Sequence, residues 1–78
     1  MSTTRLRITF TKRGTTISIP ELNSHITIFS YNIYRIAKAI ELITNMDARE
    51  CMRYARTAFK WWKAKAFRTP FSITFNLH

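Results

Sequence analysis

A chain of 78 residues with one cysteine and a formal net charge of +9 has room for one small domain, burying roughly 60–65% of the surface its unfolded form exposes. A hydrophobic content of 46%, with six Phe, three Tyr and two Trp, is too rich for low-complexity disorder and predicts a compact core. The longest uncharged, apolar-rich stretch, Leu22 to Tyr34, is broken by Asn23, Ser24, His25, Ser30 and Asn32 and falls well short of a membrane span.

Met1-Ser2-Thr3-Thr4-Arg5 lacks the apolar run and cleavage site of a signal peptide, so a cytoplasmic location is expected. Leu6, Ile8 and Phe10 alternate with Arg5, Arg7, Thr9 and Thr11, the period-two signature of a strand with one buried face. Gly14, the only glycine, follows Lys12 and Arg13 and is expected to take the positive φ of a short hairpin turn. Thr16-Ile17-Ser18-Ile19 alternates again as a second strand until Pro20 stops the ladder; His25 then reads as a loop residue.

Two helical patterns come next. Ile33, Ile36, Ile40 and Ile43 form a narrow apolar stripe on a helix running from about Ser30, as its N-cap, to Thr44. Its outward face carries Tyr31, Arg35, Lys38 and Leu42, a mixture that fits a partner surface as well as plain exterior. Asp47-Ala48-Arg49-Glu50 reads as a capping box, with Glu50 reaching back to the helix start and Met46 and Cys51 in the staple positions. Cys51, Ala55, Ala58 and Trp62 make the buried stripe of this second helix, which should run to about Phe67. Cys51 on that apolar face is expected to be a buried thiol in a reducing compartment. The short Asn45-Met46 link makes the helices an antiparallel hairpin. Phe71, Ile73, Phe75 and Leu77 alternate after Pro70 as a third strand. The expected fold is therefore one α+β domain over residues 1–78, ordered ββααβ: a three-stranded antiparallel sheet with one face covered by a helical hairpin.

The charge is unevenly placed. Glu21, Glu41, Asp47 and Glu50, the only acids, lie between two basic ends. On a helical wheel Arg49, Arg53, Arg56, Lys60 and Lys63 fall within about 80° of one another, opposite the buried stripe. They form a ridge about 21 Å long, comparable to several successive phosphates of a nucleic acid. A solvated helix face is the bland alternative, but such faces usually mix cations with acids one turn away, because like charges at that spacing oppose each other. Arg5 and Arg7 on the polar face of the first strand, with Lys12 and Arg13 in the turn, make a secondary basic patch that also fits a solubility role. Trp61, set to the side of the core stripe, fits a contact residue or rim packing equally well.

Catalysis finds little support. His25, His78 and Cys51 have no metal-ligand spacing, and no nucleophile motif or glycine-rich phosphate loop is present. No cofactor or metal is implied, and the chain reads as a non-enzyme. Two functions remain in view. One is a module that docks on DNA or RNA through phosphate contacts; the other is an inhibitor or adaptor whose basic surface covers an acidic patch of a larger complex. Small basic chains of one sheet and two helices are similar in general character to phage or mobile-element proteins that act by occlusion, a likeness of style that rests on no motif. Binding to anionic lipid is the weakest reading, because the apolar stripe is needed to cover the sheet. The small core is also compatible with a homodimer.

Overall fold

A computed structural model describes residues 4–77; residues 1–3 and His78, and with them part of the leader-segment reading, lie outside. The architecture is α+β: β1 (Thr4–Thr11), β2 (Gly14–Ile19), a 3-10 turn (Pro20–Leu22), β3 (Ser24–Ile28), α1 (Ile33–Thr44), α2 (Ala48–Ala64) and β4 (Phe71–Leu77). The sheet is antiparallel with four strands in the order β3-β2-β1-β4. This corrects the three-strand expectation. Ile26 and Ile28 alternate with His25 and Thr27 in the additional strand, so His25 sits on a strand and not in a loop.

The hairpin turn is Lys12-Arg13, closing Thr11 against Gly14. Gly14 has φ +153, and a Cβ there would lie 2.1 Å from the Ile28 carbonyl oxygen and 2.9 Å from the Phe29 Cα. Glycine is needed for that close approach as well as for the backbone angle. Beside it the buried Thr15 donates its hydroxyl to the Ser30 carbonyl at 2.9 Å. Together these contacts fix where the chain leaves β3 for α1.

Leu6, Ile8, Phe10, Ile17 and Ile19 project from the sheet onto Ile36 and Ile40 of α1 and Cys51, Ala55, Ala58 and Trp62 of α2, forming one buried cluster. Phe71, Ile73, Phe75 and Leu77 of β4 pack half-buried against it. The helices thus cover one face, as the alternation predicts. On the other face Thr27, Thr16, Thr9 and Ser72 form a row across the strands, with hydroxyl bonds of 3.1 Å between Thr16 and Thr27 and 2.8 Å between Thr9 and Ser72.

The helix ends refine the sequence reading. Asn32, rather than Ser30, caps α1: its Oδ1 accepts from the amides of Tyr34 and Arg35 at 2.9 and 3.2 Å. The Ser30 hydroxyl instead accepts from the Asn32 amide. Asp47 caps α2 as expected, accepting from the Arg49 amide at 3.2 Å. Glu50 does not close the capping box; one turn further on, the Arg53 guanidinium offers a charge-assisted partner and takes its carboxylate at 2.5 Å. The helix stops at Ala64, three residues short of Phe67. There the Phe67 amide bonds the Trp62 carbonyl and the Ala66 amide bonds that of Lys63, a Schellman ending in which the Phe67 ring meets Trp62 at 4.9 Å.

Candidate polyanion-binding surface

The wheel reading of α2 divides as expected. Cys51, Ala55, Ala58 and Trp62 are buried, while Arg49, Arg53, Arg56, Lys60 and Lys63 are all exposed. Two shallow depressions run along the exposed side and share Thr57. One, of about 350 Å³, is lined by Arg49, Met52, Arg53 and Arg56; the other, of about 370 Å³, is lined by Lys60, Trp61 and Ala64.

The cations are not equivalent. Arg53 is committed to Glu50, and its guanidinium lies 5.4 Å from the Tyr54 ring centroid. Glu50 is thus an acid in contact with the ridge, at this one residue. Arg49, Arg56, Lys60 and Lys63 have no acidic partner within 4.0 Å among the described residues. Their mutual repulsion is left to solvent ions to screen.

The secondary patch splits. Arg5 is held by Glu21: the Arg5 amide donates to Oε1 at 2.6 Å, and its guanidinium reaches Oε2 at 2.9 Å. The amide bond, followed by the guanidinium's hydrogen bond and charge, lowers the Glu21 pKa despite some desolvation. Arg7 stands on the outer sheet face between Ser18 and Thr74, away from α2. Lys12 and Arg13 are different. Phe10, two residues before the turn, stacks on Trp62 with ring centroids 4.2 Å apart, and the Tyr31 hydroxyl donates to the Thr11 carbonyl while its ring lies 4.9 Å from Trp62. The turn therefore sits near the last turn of α2, on the side of that helix that Trp62 buries; Lys65 and Arg68, which sequence reading had not assigned to the site, lie exposed just past the helix end.

Trp61 is 53% exposed. Every other aromatic of α2 packs tilted or edge-on against a neighbouring ring: Tyr54 against Phe75, and Phe59 and Trp62 against each other and against Phe67. The Trp61 ring has no such neighbour among the described residues and lies open beside Lys60.

Cys51 is buried, and desolvation pushes its thiol pKa up, which keeps it protonated and unreactive. Among the described residues no three His, Cys, Asp or Glu side chains come together as a metal site, and no helix is long and apolar enough to cross a membrane. Compared with known protein families, curated proteins and solved structures, the chain matches none.

Proposed function

We propose that the protein is a non-enzymatic, cytoplasmic module that binds nucleic acid through the exposed face of α2. The observation that carries this reading is the set of Arg49, Arg56, Lys60 and Lys63, aligned on one exposed helical face without acidic partners among the described residues. Phosphates of a DNA or RNA backbone would replace the solvent counterions along that line, and release of those ions would supply most of the affinity. Phosphate contacts position a chain without specifying sequence. The open Trp61 ring beside Lys60 adds a surface on which an unpaired base can stack.

Fluorescence anisotropy of labelled oligonucleotides against increasing salt tests this directly. With about five phosphates neutralised, affinity should fall roughly 10²–10³-fold between 50 and 200 mM salt. Absent or salt-independent binding would remove the reading.

A further inference from the structure

The sheet has an open edge at β3, which pairs only with β2 among the described residues. Along that edge runs a groove of about 300 Å³ with Ile26, Ile28 and Ala39 on its floor and Leu42, Arg35 and Lys38 on the helix wall above. Phe29, at the end of the strand, is 83% exposed and Leu42 is 68% exposed. Large apolar side chains so open, next to unpaired strand backbone, are features that soluble proteins usually suppress.

The charges around the groove select the occupant. Glu41 is the only acid of α1 and reaches Lys38 at no better than 4.0 Å; Arg35 has no acidic partner among the described residues. A second copy of the chain pairing β3 to β3 would bring two sets of Arg35 and Lys38 into one seam, between molecules that each carry +9. Nucleic acid fits poorly as well, because the floor is apolar and an edge strand offers backbone amides and carbonyls in a ladder spacing.

We infer that β3 and α1 form a docking groove for an extended, acidic segment of a protein partner, which adds as a fifth strand beside β3, sets apolar side chains on Ile26, Ile28 and Leu42, and meets Arg35 and Lys38 with its carboxylates. Backbone pairing supplies affinity and the groove supplies selectivity, as in other strand-addition complexes. The site shares no residue with the basic face of α2, so the two bind independently.

The test uses a short, capped peptide of alternating isoleucine and glutamate, titrated into the isotopically labelled full chain and followed by NMR and amide hydrogen exchange. Shift changes and slowed exchange are expected at Ser24 to Ile28. Arg35→Glu with Lys38→Glu should weaken the complex about tenfold or more, and Leu42→Asp should weaken it similarly; both changes are at exposed positions, and circular dichroism verifies that the variants fold. Arg56→Glu with Lys60→Glu should leave it intact. The inference is overturned if the peptide perturbs α2 instead of β3, if the lysine version of the peptide binds equally well, if no binding occurs at millimolar peptide, or if β3 becomes protected by self-association alone.

Discussion

The indole of Trp62 lies flat on the ring of Phe10, with centroids 4.2 Å apart and planes within 1° of parallel. This contact joins the turn end of the inner strand β1 to the last turn of α2, and the indole N–H continues it by donating to the Arg68 carbonyl at 2.9 Å. Trp62→Ala would remove the stack, the hydrogen bond and the packing of Tyr31, Phe59 and Phe67 together. The expected cost is about 3–5 kcal/mol, a large share of what so small a domain has. Urea unfolding at equilibrium measures it, and a loss below about 1 kcal/mol would show that the surrounding rings collapse into the space.

The neighbouring tryptophan should behave in the opposite way. Arg56→Glu with Lys60→Glu, and separately Trp61→Ala, change only exposed side chains, so melting should move little. The double reversal should abolish or greatly weaken oligonucleotide binding and flatten its salt dependence. Arg56 and Lys60 are a cleaner pair to reverse than Arg53, whose loss would also leave Glu50 without its partner. Unchanged binding by the folded double variant would move the functional surface to Arg7 or to the Lys12-Arg13 end.

At the start of the same helix, Asp47→Ala removes the side chain that accepts the Arg49 amide. A loss of about 0.5–2 kcal/mol is expected. Glu50→Ala should be milder, because Glu50 serves an exposed ion pair and not the cap. Comparing the two variants by thermal unfolding decides between the observed arrangement and a closed capping box, in which both would be costly.

At the other end, Ala66 takes φ +55 in the Schellman turn, a conformation that costs a residue with a Cβ about 1 kcal/mol or more. Ala66→Gly should relieve that strain, partly offset by the greater freedom of glycine in the unfolded chain. A net gain of up to about 1 kcal/mol in urea unfolding is expected; a loss would mean the left-handed turn is held by packing that the Ala66 methyl supplies.

Glu21 predicts a pH dependence. The Arg5 amide and guanidinium hold its carboxylate form and lower its pKa. The stabilisation from this ionisation is therefore complete above the ordinary carboxylate range and is lost as pH falls through the lowered folded value. Glu21→Gln should be less stable than the parent near neutral pH, with the difference shrinking in acid. A penalty that stays constant from about pH 7 to pH 3 would show that charge contributes nothing there.

The strands with three or four alternating apolar residues and the buried stripe of α2 were legible from spacing alone, because each repeats its period often enough to stand out. β3 was not. Its two isoleucines, Ile26 and Ile28, equal the two of β2, but β2 is framed by Gly14 and Pro20 whereas the β3 segment is opened by Asn23 and Ser24 with no glycine or proline adjoining it, and its strand character comes from pairing with β2. Arg5 and Glu21 stand sixteen residues apart, so their bond exists only once the sheet order is known. The choice of Asn32 over Ser30 rests on reach: the longer side chain contacts two helix amides. The end of α2 was overshot because no glycine marks it; Ala66 and Phe67 take left-handed angles that Trp62 holds in place. The alignment of the α2 cations was visible in sequence, whereas the approach of the Lys12-Arg13 turn to the end of α2 depended on the Phe10–Trp62 stack.

The placement of β4 has a consequence for synthesis. β1, the first strand made, has one of its two neighbours in β4, the last of the described elements to emerge, and their register runs from Thr4 opposite Leu77 to Phe10 opposite Phe71. A nascent chain can close the β1–β2 hairpin before β4 is available, but one edge of β1 and the apolar side chains beside it stay uncovered until β4 has emerged and paired with it. Long-range closure of this kind slows folding and lengthens the interval in which an open strand can pair with the wrong chain. The basic residues on β1 and its turn, Arg5, Arg7, Lys12 and Arg13, are charges of the kind that discourage such pairing.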